Sequence, residues 1–129
     1  DILHPGHVKL LWTARQEGDC LFVGVNTDDS VKRLKGESRP ILPLKARMLM
    51  LASIESVDYV VPFEEDTPWE LIQEIVPDVL VKGGDYKPNE VVGADFVKSR
   101  GGKLLLVPLF EDFSTSLILE RILSLEKKK

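Results

Sequence analysis

Leu21-Phe22-Val23-Gly24-Val25, followed by Asn26-Thr27-Asp28, is a short unbroken apolar run closed by polar turn residues. Tyr59-Val60-Val61, Val79-Leu80-Val81 and Leu104-Leu105-Leu106-Val107 repeat the pattern, each bounded by Asp, Gly or Pro. Runs that are apolar at every position, rather than at alternate ones, belong to strands covered on both faces, and helical stretches near 43–55, 68–76, 89–99 and 116–126 lie between them. The expected fold is therefore α/β, with a doubly wound parallel sheet. Thr67-Pro68-Trp69-Glu70 supports the parsing with a capping threonine, a proline at the first helical position and a glutamate three residues after the cap. In such sheets ligands bind beyond the carboxyl ends of the strands, so Asn26-Thr27-Asp28, Lys82-Gly83-Gly84-Asp85 and Phe113-Ser114-Thr115-Ser116 are expected to face one crevice. Asp1-Ile2-Leu3-His4 reads as the exit of a first strand whose body is missing from the chain. Neither GxGxxG nor a Walker A sequence occurs, which disfavours a dehydrogenase and a P-loop kinase.

With 129 residues the chain is expected to form a single domain over 1–129, and 43% hydrophobic with 29% charged residues is the balance of an ordinary globular protein. No apolar stretch approaches a membrane span of roughly 18 to 20 residues, and no signal-peptide pattern opens the chain. The single cysteine, Cys20, excludes an internal disulfide, fits a reducing compartment and reads as the first residue of a buried strand; the expected location is cytoplasmic. A net charge of −4 argues against a nucleic-acid surface. Lys32, Arg33, Lys35 and Arg39, followed by Lys45 and Arg47, nevertheless form a local basic segment. It suits a small polyanion such as a nucleotide, or is a solvated loop. Glu64-Glu65-Asp66 reads as a run of surface acids.

The only two histidines, His4 and His7, stand three residues apart in His4-Pro5-Gly6-His7, just ahead of the helical run Val8–Arg15. Unpaired N–H groups and the positive end of the dipole make a helix N-terminus favourable to phosphate, and two imidazoles add hydrogen-bond donors. Three readings of the pair stand open at this level: a loop histidine with a cap histidine, a phosphate site, or a zinc site that lacks a third ligand.

Together these segments resemble the nucleotidyltransferase superfamily of cytidylyltransferases and related adenylyltransferases, whose marks are an HxGH motif at a helix start and a late Ser/Thr segment at another. Here those marks are His4 to His7 and Ser114-Thr115-Ser116, while the strand-end motif that precedes HxGH is represented only by Asp1. Val25-Asn26-Thr27-Asp28, Lys32-Arg33-Leu34-Lys35-Gly36, Ser38-Arg39-Pro40, Phe63 to Pro68 and Leu80 to Tyr86 make the resemblance closest to the heptose 1-phosphate adenylyltransferase domains. That resemblance implies a Rossmann-like nucleotidyltransferase fold, and transfer of AMP from ATP to D-glycero-β-D-manno-heptose 1-phosphate for lipopolysaccharide core assembly. It assigns His4, His7 and Lys45 to catalysis at the phosphates. Asp1, Gly6, Ser114, Thr115 and Ser116 join the histidines in binding nucleotide, although Ser114 also reads as a helix cap. Asn26, Asp28, Arg33, Arg39, Lys82 and Asp85 would bind the sugar phosphate, with Arg33 and Arg39 on a closing loop and Asp28 also readable as a turn residue. Mg²⁺ would arrive on the ATP phosphates rather than in a protein cage. A homodimer and a fused or separate heptose kinase are implied partners, with no nucleic acid and no membrane. Cytidylyl transfer or FMN adenylyl transfer within the same superfamily, and a nucleotide-binding module without turnover, are the alternatives.

Overall fold

A computed structural model of the chain describes residues 2–108 and 114–127. Its elements run α1 (Pro5–Arg15), β1 (Phe22–Asn26), α2 (Asp28–Lys35), α3 (Leu44–Ala52), β2 (Tyr59–Phe63), α4 (Trp69–Ile75), β3 (Val79–Gly83), a 3₁₀ turn (Pro88–Glu90), α5 (Ala94–Ser99), β4 (Lys103–Val107) and α6 (Thr115–Lys127). All four expected strands form, and all pair in parallel, as crossover helices require.

The hydrogen-bonded ladders are two, β1 with β2 and β3 with β4, and among the described residues no strand bridges β1 to β3. Both pairs start in register: Phe22 faces Tyr59, and Val79 faces Lys103. Helices α2 and α3 pack on the first pair and α5 on the second. Coverage is less complete than the all-apolar strands predict. Val25 is the buried strand residue, whereas Phe22 and Tyr59 are exposed and stack on each other at 4.6 Å. Leu11 and Ala14 of α1, Ile72 of α4, and Ala94 and Val97 of α5 supply the rest of the buried apolar core. Val97 is only 1% exposed, so Val97→Ala should destabilise the protein by about 2–3 kcal/mol, read as a lower urea midpoint at unchanged slope.

Four local expectations are corrected. The segment 28–35, read as a charged turn and loop, is a helix: Thr27 caps it by accepting from the Ser30 N–H, and Asp28 and Asp29 in the first turn with Lys32, Arg33 and Lys35 in the last complement its dipole. The stretch 89–99 is interrupted, because Gly93 at φ 86° separates the 3₁₀ turn from α5. Thr67 does not cap α4; Pro68 holds the cap position and offers no side-chain acceptor. Cys20 is exposed and lies ahead of β1 rather than starting it.

Candidate active site

The histidine turn is built by the histidines themselves. His4 is the N-cap of α1, with extended backbone at φ −145° and ψ 170°, and Pro5 pre-sets the first helical φ. The Nδ1 atom of His4 accepts from the Gly6 N–H at 3.1 Å, and the Nδ1 atom of His7 accepts from the His4 N–H at 3.3 Å. This is the reciprocal arrangement of a capping box, with imidazole nitrogens in place of the usual hydroxyl and carboxylate. An Nδ1 that accepts carries no proton, so both rings are assigned the tautomer with hydrogen on Nε2. Each presents a donor there, not a lone pair. That suits phosphate oxygen and works against the zinc reading.

The rings lie 3.9 Å apart between centroids. Burial, then the nearby His4, pushes the His7 imidazole down to about 4, and burial likewise lowers His4. At neutral pH the pair is uncharged. Gly6, buried against the His4 ring, is a steric requirement: a Cβ at this position would stand 2.8 Å from His4 Cε1 and 2.9 Å from Nδ1.

The late Ser/Thr segment meets this turn. The Ile2 N–H donates to the Thr115 hydroxyl at 3.4 Å, a link across 113 positions that joins the approach to α1 with the first residue of α6. Thr115 is buried, Ser116 is exposed, and the Ser114 hydroxyl accepts from the Leu117 N–H at 3.0 Å. Ser114 is therefore a helix cap, as the alternative reading had it. Two helix N-termini thus adjoin one another; at α1 the Gly6 and His7 N–H groups are already taken by His4, so the imidazole Nε2–H groups are the donors that this turn offers. Asp1 lies outside the described residues.

A second corner forms at the end of β1. The Asn26 amide donates to Ser30 at 3.0 Å, and the fully buried Ser30 hydroxyl donates to the Glu65 carbonyl at 2.9 Å. Asp28, the first residue of α2, accepts from Arg47 at 2.6 Å. Arg47, grouped from the sequence with the basic segment as a solvated or anion-facing charge, is instead a buried side chain of α3; the signal that could have set it aside was an arginine among the apolar residues of Leu44–Leu51.

The remaining candidates lie on α2, in the loop after it, on α3 and around the end of β3. Arg33 is not on a loop: from α2 its guanidinium pairs with Asp66 at 2.8 Å and Glu64 at 3.3 Å and donates to the Glu64 carbonyl, while Thr27 donates to Glu64 at 2.5 Å. Those acids hold the exposed Arg33 charge above its usual range, chiefly through the Asp66 hydrogen bond. Two of the three surface acids, Glu64 and Asp66, are thus its partners. Arg39 does lie in the loop between α2 and α3, and Lys45 is exposed in the first turn of α3. Lys82, in β3, places Nζ 4.8 Å from the Tyr86 ring centroid. Asp85 is exposed after Gly84, whose φ of 118° makes the turn. No hydrogen bond or ion pair among the described residues ties Lys82 or Asp85 to the histidine turn.

A cytidylyltransferase-like family model matches residues 1–121. The chain belongs to that family. It is 57% identical over 122 residues to the bifunctional protein HldE of Actinobacillus pleuropneumoniae serotype 5b, covering 95% of this chain and 26% of that protein. It is 55% identical over 122 residues to HldE of Alcanivorax borkumensis, with the same coverage, and 52% identical over 124 residues to HldE of Coxiella burnetii, covering 96% and 26%. The chain thus spans about a quarter of the length of these curated relatives. Among solved structures, the lipopolysaccharide core biosynthesis protein of Thermoplasma volcanium superposes with a TM-score of 0.67 at 26% identity, covering 85% of this chain and 88% of that one. The cytidylyltransferase-like, Rossmann-type α/β fold expected from the sequence is thereby shown. Among the described residues no helix is long and apolar enough to cross a membrane.

The depressed histidine has a consequence for this family member that can be measured. Its folded form binds a proton less readily than the unfolded chain, so stability is fully present above about pH 6.5 and falls as pH drops towards about 4. Urea unfolding between pH 7.5 and 4.5 should show that slope, flattened in His7→Ala. An unchanged slope in the variant would assign the acid sensitivity to other groups.

Proposed function

We propose that this chain is the nucleotidyltransferase part of a longer protein, and that it transfers AMP from ATP to D-glycero-β-D-manno-heptose 1-phosphate, releasing pyrophosphate. The observation that carries the reading is the pair of Nε2–H imidazoles at a helix N-terminus beside a second helix N-terminus rich in hydroxyls. Such a set of uncharged N–H and O–H donors fits a triphosphate. The choice of acceptor rests on the resemblance of the Lys32–Gly36 and Leu80–Tyr86 segments to heptose 1-phosphate adenylyltransferase domains and on the HldE relatives. The product would serve lipopolysaccharide core assembly, and the adjoining part of the longer protein would be the heptose kinase.

The sugar phosphate is already an anionic nucleophile, so no general base and no covalent enzyme intermediate are needed. Its oxygen forms the new bond to the α-phosphorus while the bond from that phosphorus to the bridging α–β oxygen breaks, and pyrophosphate leaves with the electron pair. The protein's contribution is alignment and charge stabilisation. His4 and His7 would donate to the triphosphate, with His7 nearest the reacting α-phosphate; Gly6 lets the His4 ring sit against the backbone. Thr115 and Ser116, with the first N–H groups of α6, would hold the outer phosphates, and Lys45 would add a positive charge. Asn26, Asp28, Arg39, Lys82 and Asp85 are the candidates for the sugar phosphate, and Arg33 joins them only by leaving Glu64 and Asp66. ATP enters as its Mg²⁺ complex: the donors here suit phosphate oxygen rather than a hard cation, and the cation adds charge neutralisation on the phosphates.

The test is pyrophosphate release by the full-length protein with MgATP or MgCTP, and heptose 1-phosphate or glycerol 3-phosphate as acceptor. Turnover confined to ATP with heptose 1-phosphate is the expected result. Turnover with CTP would move the chain to cytidylyl transfer, and ATP binding without turnover for any acceptor would make it a nucleotide-binding module.

A further inference from the structure

Arg47 is 7% exposed, and its fork is spent on three acceptors from two stretches of the chain, 26–28 and Leu42. Nε donates to the Leu42 carbonyl at 2.9 Å, Nη1 to the Asn26 carbonyl at 2.7 Å and Nη2 to Asp28 Oδ1 at 2.6 Å. Leu42 closes the loop that carries Arg39, Asn26 ends β1, and Asp28 opens α2. The burial is one-sided: the arginine side chain is 8% exposed, whereas that of Asp28 is 40% exposed. The cation is inside and the carboxylate is at the rim.

A guanidinium held this way has little left with which to grip a ligand. Taking its charge out of water is costly, and an apolar side chain would fill the same space at less cost. What an arginine adds is direction, because a planar fork fixes the positions of three acceptors at once. One Asp28 oxygen is anchored inward, so the orientation of the whole carboxylate is set. Asn26 is fixed twice, its carbonyl by Arg47 and its side-chain amide by the buried Ser30.

We propose that Arg47 is a positioning residue for the acceptor: through Asp28, Asn26 and the Leu42 end of the Arg39 loop, it sets the subsite that holds the sugar, without touching either substrate. This rests on the reading of Asn26 and Asp28 as acceptor contacts. On the same reading the triphosphate is assigned to the junction of α1 and α6, which none of these three Arg47 hydrogen bonds reaches, so its binding should be insensitive to the same change.

The experiment is steady-state kinetics of the full-length protein carrying Arg47→Lys, Asp28→Asn, or both, with each substrate varied in turn. A lysine keeps the charge but cannot hold three acceptors, so Arg47→Lys should raise the KM for heptose 1-phosphate by about tenfold or more and leave the KM for ATP within about twofold. Asp28→Asn should do the same. The double variant should fall well short of the product of the two single effects, because the changes share the Arg47–Asp28 linkage. An acceptor KM within about twofold of wild type in Arg47→Lys, a parallel rise in the ATP KM, or effects that multiply would overturn the proposal. Should Arg47→Lys fail to fold, Asp28→Asn decides alone, because Asp28 stands at the rim: an unchanged acceptor KM there sinks the idea. If wild type ignores heptose 1-phosphate but uses another phosphomonoester, the functional reading fails and the same comparison is made with that acceptor.

Discussion

Replacing His7 by alanine should lower turnover by about 10²–10³, equivalent to about 2.7–4 kcal/mol of transition-state stabilisation, if the ring acts like other preorganised donors. The loss should fall on kcat rather than on the KM for ATP, because the donor matters most as charge moves onto the leaving pyrophosphate. His7 also accepts the His4 N–H, so His7→Ala removes part of a helix cap, at a cost of about 1 kcal/mol in stability. A second variant separates the two roles. In His7→Glu a carboxylate can accept the same N–H, and a negative charge in the first turn favours the helix, so stability should be kept or raised. Activity should nonetheless fall at least as far as in His7→Ala, since the anion would now repel phosphate. A His7→Ala enzyme within about tenfold of wild-type kcat would remove His7 from the reacting centre.

Gly6→Ala should be nearly as damaging, although it adds only a methyl group. That methyl would be 2.8 and 2.9 Å from atoms of the His4 ring, far inside ordinary contact, so the ring must move or rotate out of its hydrogen bond. A displacement approaching 1 Å at a positioned catalytic group costs on the order of 10² in rate. Stability should behave differently, since alanine favours a helix over glycine by roughly 0.5–1 kcal/mol and offsets much of the weakened cap. The expected pattern is a thermal midpoint near that of wild type with activity reduced about 10²-fold, measured by calorimetry and pyrophosphate release on one preparation. Unchanged turnover would mean that the ring finds room the geometry does not offer.

Much of the fold was legible because unbroken apolar runs flanked by turn residues have few alternatives to buried parallel strands, and all four such runs became strands. The helix over 28–35 was harder to see. It is so polar on average that no apolar run marks it, although its charged and less charged positions do segregate to opposite faces at the helical period; its other signals are a threonine cap, acids in the first turn and bases in the last. The position of the histidines at a helix start could be read from Pro5 and the run after it. Their mutual hydrogen bonding could not: a capping box is sought as Ser or Thr followed by Glu, and the tetrad at Thr67 matched that pattern while failing to form it. Arg47 was hidden for another reason. Its three acceptors, two of them backbone carbonyls, come from segments up to 21 positions away, and no property of a linear sequence marks a carbonyl as needing a donor.

Because the lone pairs that cap α1 belong to imidazoles, the amide hydrogens of His4 and Gly6 are protected only while both rings stay unprotonated at Nδ1. Hydrogen exchange at these two amides would therefore report the charge state of the rings directly, residue by residue. Protonation keeps the Nε2–H but removes the acceptor that holds each ring, so opening of the first helical turn and displacement of the phosphate donors become a single event, and this site carries its own spectroscopic record of whether it is in place.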